Sequence, residues 1–391
     1  MFDHFEAEAD SILEEQIRIC EIPAPTGQEA VRAAYVAEQL DRLGLIVAHD
    51  SVGNVIGRPE SMADDPVVLS AHLDTVFGAD QPVAVARPGE FDPYSNGDPV
   101  PAGEYHAPGI SDAAAGLVAM LTIARSMGRT PWASEVMFVA TVGEEGRGDL
   151  RGARHFFETD QGRNARAFIT IDHSDPAAVV NAGIGSRRYS VQYRGSGGHS
   201  WGHFGRYNPA FALAAAADRL AEIRVPRNPR TSYNVGVVRG GETVNAIPEF
   251  AEMDIDLRSE SPEQLERLDE DVQEIIRRGH QRELRRRSEG AMELVISKIG
   301  DRPAGLTSVD SALVRAACRA LQAEGLAPRT IAASTDANAA MAAGVPAVAM
   351  SWGGRSDNQH SIREWFDPTD RSRSLRVIAR MLLELAQQGP D

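Results

Sequence analysis

Three apolar runs in the first half of the chain end in residues of the types that can bind metal ions. Each run has the length and residue types of a buried β-strand. Helix-like segments separate the runs, which predicts an α/β domain with a mostly parallel sheet and all strand ends at one edge. Open α/β sheets place their ligands at that edge. The residues expected there are His72 and Asp74 after Val67–Ser70, Glu144 and Glu145 after EVMFVATVG, and Asp172 at the end of AFITID.

The chain is long enough for two domains at 391 residues. Helix-like and strand-like stretches alternate over residues 1–183 and again after about residue 300. Between them the order βαββαβ predicts a four-stranded sheet with two helices. We therefore predict a first domain of residues 1–183 and 300–391, interrupted by an inserted domain of residues 184–299. This split allows His360 to return beside His72.

Composition disfavours several classes of partner. A net charge of −16 opposes non-specific binding to nucleic acid, and the basic run 277–287 has its charges interleaved along an apparent helix, as on a solvated face. No window approaches the roughly 20 apolar residues of a membrane helix. Cys20 and Cys318 lie in helix-like segments, and the acidic N-terminus lacks a secretion signal. We therefore expect a cytoplasmic protein without membrane or nucleic-acid partners.

His72 and Asp74 form a pair suited to metal binding. Residues i and i+2 on an extended segment point the same way, so Asp74 can accept one ring N–H of His72 while the other ring nitrogen binds a metal. Metal-binding histidines usually have such a partner. A His-x-Asp sequence taken alone is also typical of a surface turn.

Simpler interpretations exist for the other candidate ligands. Asp112 in PGISDAAAGLVAML directly precedes a predicted helix and could cap it. Glu144 and Glu145 could form a solvated turn, although two adjacent carboxylates at a strand end are costly without a cation. Convergence of all these side chains on one sheet edge favours the metal site.

Charge balance indicates two metal ions. With His72, Asp112, Glu145, Asp172 and His360 as ligands, three carboxylates face the four positive charges of two divalent ions, and a bridging hydroxide would complete neutrality. Imidazole and carboxylate ligands suit zinc, and cobalt or manganese also fit. Glu144 would then take a proton from the water and deliver it to a leaving amine.

The motifs AHLDT, GISDAAAG, TVGEEG, TID, GGHS and NQHS occur in that order around the predicted inserted domain. This set resembles the co-catalytic di-zinc aminoacylase and carboxypeptidase superfamily of metallopeptidases over essentially the whole chain. Its members include peptidase T, glutamate carboxypeptidase, acetylornithine and succinyl-diaminopimelate deacylases, and β-alanine synthase. The resemblance implies one zinc held by His72, Asp112 and Asp172, and another held by Asp112, Glu145 and His360. It also implies Glu144 as general base, Asp74 as the residue that orients His72, and a cis peptide between Asp112 and Ala113.

The resemblance extends to the inserted domain. It implies that residues 1–183 and 300–391 form a zinc-binding catalytic domain and that residues 184–299 form a lid and dimerisation domain. His199 in GSGGHSWGHFG matches a histidine that steadies the oxyanion in the partner subunit's active site. Asn245 and Arg258, thirteen residues apart, match residues that bind the substrate's carboxylate. Arg258 could instead form a surface salt bridge at a strand end. Three further histidines, His106, His173 and His203, have no predicted role.

Three functions remain open from the sequence. The first is an exopeptidase or di- or tripeptidase acting on small substrates with a free carboxylate. The second is an N-acyl or N-carbamoyl amino acid deacylase, and a remote third is a non-catalytic binding protein of the same fold. We expect loops 78–109 and 353–359 to set specificity. We also predict a homodimer through residues 184–299, formed by a sheet edge and by the apolar helix face in FALAAAADRL.

Overall fold

The computed structural model describes residues 2, 4–81, 83–95, 97–128, 130 and 133–388. Its strands are β1 Ile46–His49, β2 Val55–Arg58, β3 Val67–His72, β4 Tyr105–His106, β5 Val136–Thr141, β6 Ala167–His173, β7 Ala178–Gly183, β8 Gly185–Gly195, β9 Gly198–His199, β10 Thr231–Gly240, β11 Ala246–Ile247, β12 Phe250–Ser259, β13 Met292–Arg302, β14 Gly305–Leu306, β15 Arg329–Ala333, β16 Ala347–Ser351, β17 Arg355–Asp357 and β18 Trp365–Asp367. Its α-helices are α1 His4–Ala7, α2 Ala9–Cys20, α3 Ala30–Arg42, α4 Ala114–Met127, α5 Arg151–Glu158, α6 Asp160–Arg163, α7 Pro209–Leu220, α8 Pro262–Arg286, α9 Ala312–Ala323, α10 Ala337–Ala342 and α11 Arg371–Gln388.

The chain divides into two compact units. The first contains Met1–Gly183 and Leu306–Asp391, and the second contains Ile184–Gly305. The insertion lies where the sequence pattern changes, at residue 184. Its far end lies beyond residue 299, because β13 continues to Arg302.

A large mixed sheet forms the centre of the first unit. Among the described residues its strands follow the order β1-β2-β5-β3-β6-β16-β7-β14, with β15 paired to β7. The central strands β5, β3, β6 and β16 are mutually parallel, whereas β1 and β2 are antiparallel additions at one side. Every residue of β3, β5 and β16 is buried, as expected of parallel strands covered by helices on both faces. The predicted α/β class with a mostly parallel sheet is confirmed.

The register of the parallel strands brings their carboxyl ends to one edge. His72, the last residue of β3, pairs with Thr141, the last residue of β5. Ser351 at the end of β16 pairs with His173 at the end of β6. The segments that carry the candidate ligands therefore leave the sheet side by side.

Helix α4 packs unusually close to β6 because of Gly116. Nearly all of α4 is buried, which explains an apolar sequence without a polar face. A Cβ atom on Gly116 would lie 2.5 Å from the carbonyl oxygen of Ile171, a separation that no side chain tolerates. The absence of a side chain thus allows the first turn of α4, directly after Asp112, to approach the end of β6, which carries Asp172.

The second unit contains a four-stranded antiparallel sheet in the order β10-β12-β8-β13, with α7 and α8 packed against it. Alternate side chains of β8 and β12 are buried, and the others face outward. Asn208 and Ser261 cap the two helices: each side chain accepts a backbone N–H of the first turn, and each residue is followed by a proline at the first helical position. The element order matches the predicted βαββαβ pattern, with the short strands β9 and β11 added.

The apolar face of α7 is not available for dimerisation. Ala212, Leu213, Ala216 and Leu220 are buried in the core of the second unit. Phe211 is exposed, and the guanidinium of Arg287 lies 4.8 Å from its ring centroid. The prediction that FALAAAADRL offers an apolar interface is therefore wrong, because this face already covers its own sheet.

Two expectations from composition can be compared with the helices. The basic run 277–287 lies mostly on α8 with its arginines largely exposed, as predicted for a solvated face. Within the described ranges, none of the helices combines the length and apolar character required to cross a membrane. The long segment 78–109 is largely irregular, and its Pro82 and Asn96 lie outside the described residues.

Candidate metal centre

Five side chains at the carboxyl edge of the first unit's sheet form two potential metal-binding groups. One group contains His72, Asp112 and Asp172, and the other contains Asp112, Glu145 and His360. Within each group the ligand atoms lie within 4.8 Å of one another. Asp112 belongs to both groups, so one carboxylate can serve two ions. The five residues predicted as ligands are thus the five that the fold brings together.

The two oxygens of Asp112 face different histidines. Oδ1 lies 2.8 Å from His72 Nε2, and Oδ2 lies 3.3 Å from His360 Nε2. Asp172 Oδ1 is 3.7 Å from His72 Nε2, and Glu145 Oε1 is 2.9 Å from His360 Nε2. The Nε2 atoms of both imidazoles therefore point at carboxylates of their own group, as common ligands of one cation would.

The simpler interpretations of these residues do not match the structure. Helix α4 begins without a side-chain capping hydrogen bond, so Asp112 is not its cap. Glu144 and Glu145 are buried rather than solvated, with 4% and 5% of their surface exposed. The peptide bond between Asp112 and Ala113 is cis, as the family resemblance implies.

Asp74 joins the ends of β3 and β5 beneath the site. Its Oδ1 accepts the backbone N–H of Glu144 at 2.9 Å, and its Oδ2 accepts that of Glu145 at 3.0 Å. The hydroxyl of Thr26 also donates to Oδ2 at 2.8 Å. His72 Nδ1 lies 3.4 Å from Asp74 Oδ1, longer than an ordinary hydrogen bond. Asp74 therefore positions both glutamates as well as facing His72.

Several buried polar residues that the sequence patterns did not single out also support the site. Arg32 donates to the carbonyl of Leu73 at 2.9 Å, between His72 and Asp74. Glu364 accepts backbone N–H bonds from the segment that leads to Asp112. Asp336, in the STDAN segment, accepts the hydroxyl of Thr141 at the end of β5. These contacts join residues far apart in the chain, so no local pattern could have revealed them.

The convergence of carboxylates shifts the pKa values of the group. Burial acts to lower the pKa of His72, but Asp112, Asp172 and Asp74 together raise it well above its ordinary value. Contacts with Asp112 and then Glu145 raise the pKa of His360 to about 11. Burial raises the pKa values of Glu145 and Asp172 despite the neighbouring histidines. Protons thus stabilise the cluster in the metal-free protein.

The donor set fits divalent metal ions. Each group combines an imidazole with carboxylates, which is a ligand set that zinc, cobalt and manganese accept. Asp112 Oδ1 is buried, and among the described residues no donor approaches it with hydrogen-bond geometry, even though His72 Nε2 is near. Buried carboxylate oxygens require a donor or a cation. The residues present therefore fit two metal ions that share Asp112.

The three site residues predicted in the inserted domain lie in the second unit. Strand β9 pairs with β11 so that Ala246 faces His199, and the backbone N–H of Ser200 donates to the carbonyl of Asn245 at 3.0 Å. His199 and Asn245 are therefore neighbours. Arg258 forms a salt bridge from Nε to Asp256 at 2.7 Å, with 44% of its side chain exposed. This is the surface pair that the sequence left open for Arg258.

The hydrogen bonds of His199 determine which of its ring nitrogens carries a proton. Its Nδ1 accepts the backbone N–H groups of Trp201 at 3.1 Å and Gly202 at 3.3 Å. The neutral ring therefore carries its proton on Nε2. The backbone N–H of His199 in turn donates to Nδ1 of His203 at 3.0 Å, so His203 supports the loop that presents His199.

His106 and His173, the other two histidines without a predicted role, have structural partners. His106 lies in segment 78–109, where Nδ1 is 2.8 Å from Asp92 and Nε2 is 2.8 Å from Glu104. His173 accepts the backbone N–H of Asp175 at 2.9 Å, and burial lowers its pKa. Neither belongs to the two metal-ligand groups.

Comparison with known proteins identifies the family. The model of peptidase family M20/M25/M40 matches residues 68–384, which include all five candidate ligands. The chain belongs to this peptidase family. The resemblance inferred from the motifs is thereby confirmed, and membership of a peptidase family supports the prediction of a hydrolase.

M20 relatives differ in their described activities. A probable carboxypeptidase from Ajellomyces capsulatus is 26% identical over 58% of this chain and 51% of its own length. This chain therefore spans about half of that curated relative. An acetylornithine deacetylase from Myxococcus xanthus is 28% identical over 63% of each protein. The crystal structure of a tripeptidase from Staphylococcus aureus has the same fold, with a TM-score of 0.79, 20% identity, and coverage of 97% of this chain and 99% of that one.

Metal binding at this site should release protons. Neighbouring carboxylates raise the pKa values of His72 and His360, so both rings are protonated near neutral pH in the metal-free protein, whereas a metal requires the neutral ring. We expect release of on the order of two protons per molecule and weaker metal binding as the pH falls. Isothermal titration calorimetry in two buffers of different ionisation enthalpy measures this release. Identical heats in the two buffers would contradict it.

Proposed function

We propose that this chain is a di-zinc metallohydrolase that cleaves a peptide bond in small substrates with a free carboxylate. It would act as an exopeptidase or as a di- or tripeptidase. The observation that carries this proposal is the pair of ligand groups that share Asp112, with the buried Glu144 beside the ligand Glu145. Cobalt or manganese could take the place of zinc, because the ligand types suit all three ions.

The mechanism assigns separate tasks to the two adjacent glutamates. Two ions bound to the five ligands would polarise the scissile carbonyl and lower the pKa of the attacking water. Glu144 takes a proton from that water and delivers it to the leaving amine. Asp74 accepts the backbone N–H groups of both Glu144 and Glu145, so it fixes the position of the base Glu144 relative to the ligand Glu145.

The substrate's carboxylate is assigned to Arg258 and Asn245. A guanidinium can hold a carboxylate through two parallel hydrogen bonds, which a lysine cannot. The exposed Arg258 remains accessible to a ligand despite its bond to Asp256. Loops 78–109 and 353–359 are proposed to select among substrates that carry such a group.

The second candidate function is a deacylase for N-acyl or N-carbamoyl amino acids. The similarity to acetylornithine deacetylase favours it, and the same ligands and base would serve both reactions. A non-catalytic binding protein is disfavoured, because five ligands and a buried candidate base are all present.

We further propose a homodimer joined through the second unit. Strand β10 is an edge strand with Val237 and Val238 exposed, and an unpaired edge can pair with a second copy. The loop after His199 exposes Trp201 and Phe204 almost fully, at 87% and 81%. We assign the dimer contact to the edge strand β10 rather than to the apolar face of α7. Nε2–H of His199 would donate to the oxyanion in the partner's site.

A substrate screen tests the proposed reaction. Di- and tripeptides, their C-terminally amidated forms, and N-acetyl, N-succinyl and N-carbamoyl amino acids would be compared with zinc, cobalt or manganese. We expect free-acid peptides to be cleaved and amidated peptides to lose about 10–100-fold in kcat/KM, because the guanidinium would lack its partner. Arg258→Ala should lose this discrimination. Arg239→Ala, which removes another exposed arginine paired with a carboxylate in the same unit, should retain it.

The screen also separates the alternatives. Faster cleavage of N-acyl or N-carbamoyl amino acids would favour the deacylase. Equal cleavage of amidated and free-acid peptides by the wild type would remove the carboxylate grip from the mechanism.

Separate replacement of each of the two adjacent glutamates by glutamine distinguishes the base from the metal ligand. Glu144→Gln should retain two metals and lose about 10²–10⁴-fold in kcat, because it removes positioned proton transfer. Glu145→Gln should lose metal content instead, since it removes a ligand of the second group. Metal analysis and steady-state kinetics would be measured for both variants. Because the two substitutions are isosteric and adjacent, each variant is the control for the other. Reversed effects would show that the two assignments are exchanged.

Mixed dimers test whether His199 acts in the partner's site. Glu144→Gln and His199→Ala proteins should each be nearly inactive alone. After subunit exchange, each mixed dimer would have one site with both residues intact, so up to about a quarter of wild-type activity should return. The unmixed variants are the controls. No recovery after demonstrated exchange would mean that His199 acts in its own chain's site or in none.

A further inference from the structure

The segment 107–112 leads into the shared ligand Asp112 and belongs to neither a regular helix nor a strand. Backbone groups in such a segment need partners from elsewhere in the protein. Glu364 accepts most of the backbone N–H groups of this segment and is completely buried. Its position in sequence, four residues after His360, places it in the other chain segment that provides a ligand to the second metal group.

One carboxylate binds three successive parts of this segment. Glu364 Oε2 accepts the backbone N–H of Gly109 at 2.8 Å. Oε1 accepts the backbone N–H of Ser111 at 2.9 Å, that of Asp112 at 3.0 Å, and the hydroxyl of Ser111 at 2.5 Å. The backbone carbonyl of Glu364 also accepts the N–H of Ala107 at 3.1 Å. Residues 109, 111 and 112 therefore all donate hydrogen bonds to the side chain of Glu364.

Helix α2 holds the carbonyl groups of the same segment. The side-chain amide of Gln16 donates to the carbonyl of Ile110 at 2.5 Å, and the thiol of Cys20 lies 3.6 Å from the carbonyl oxygen of Pro108. Arg371 donates in turn to the amide oxygen of Gln16. Glu364 thus accepts N–H groups of the segment, and α2 binds the carbonyl groups of Pro108 and Ile110, so partners on two sides hold the backbone that leads to Asp112.

We propose that Glu364 is a positioning residue for the metal centre, which fixes the backbone of Asp112 relative to the segment that carries His360. The proposal rests on the proposed function in one respect, namely that Asp112 and His360 bind metal. Glu364 itself is not among the ligands. Its carboxylate acts through four hydrogen bonds to residues 109, 111 and 112. Next to these bonds, the short strands β18 and β4 pair and join the same two chain segments.

Binding of Co²⁺ to the metal-free protein tests this role without reference to catalysis. Visible absorption reports both the affinity for Co²⁺ and the geometry of its ligands. Glu364→Gln replaces one carboxylate oxygen by an amide nitrogen, which cannot accept the N–H that it faces, so part of the segment loses its hydrogen-bond partner. We expect Co²⁺ affinity to fall about 10–100-fold, with a changed absorption spectrum, as for other residues that support metal ligands.

Glu324→Gln is the matched control. Glu324 is also a largely buried carboxylate of the first unit, but it bonds Arg376 and Arg380 on α11. This variant should lose stability in thermal unfolding and keep the wild-type Co²⁺ affinity and spectrum. The same affinity loss in both variants would show that general destabilisation causes it, and wild-type Co²⁺ binding by Glu364→Gln would overturn the proposal.

Ser111→Ala provides a milder second variant if Glu364→Gln does not fold. It removes one of the four donors, and we expect a Co²⁺ affinity a few-fold weaker than that of the wild type. Unchanged affinity would contradict the proposal. Wild-type protein that binds Co²⁺ but cleaves no substrate in the screen would overturn the proposed reaction alone, whereas a wild type that binds no Co²⁺ would overturn both proposals.

Discussion

The metal centre depends on one buried carboxylate, Asp74, which follows β3 and whose two oxygens accept the backbone N–H groups of Glu144 and Glu145 after β5. His72 and the backbone N–H groups of Glu144 and Glu145 contact this carboxylate. Burial acts to raise its pKa, but among these contacts His72 and Glu145 lower it. A buried charge without such partners would be strongly unfavourable. Since these three residues belong to the centre, the arrangement that stabilises Asp74 also determines the geometry of the site.

The site brings three largely buried carboxylates together, an arrangement that is costly without cations nearby. Asp112, Glu145 and Asp172 lie close to two imidazoles, and the raised pKa values of Glu145 and Asp172 reflect the cost of burying them as anions. Cations relieve that cost, whether they are protons on the histidines or metal ions. Binding of an ion to the folded state alone therefore stabilises the fold by mass action. In this region stability and metal affinity are two aspects of one electrostatic balance.

The sequence patterns predicted the elements that surround the centre with good accuracy. Helix α4 and strands β3, β5 and β6 have strong apolar runs and lie within a residue or two of the predicted segments. The patterns do not predict the short strands β1 and β2 at one side of the sheet, because each has only four residues and β1 is mostly exposed. The apolar residues of α7 predict a dimer interface, yet they pack on their own sheet. An apolar helix face does not specify which surface covers it.

Residue types and spacing by themselves determined which side chains could bind metal and that buried strands would bring them to one edge. Only the tertiary structure decided that both oxygens of Asp112 face histidines and that Asp74 holds two glutamates at once. It also decided that Glu364, 252 residues away from Asp112, supports that ligand's backbone. The physical reason is that strand burial and helix periodicity are local properties of the chain. Hydrogen bonds between buried polar groups depend instead on distances that exist only after the sheet and helices have packed.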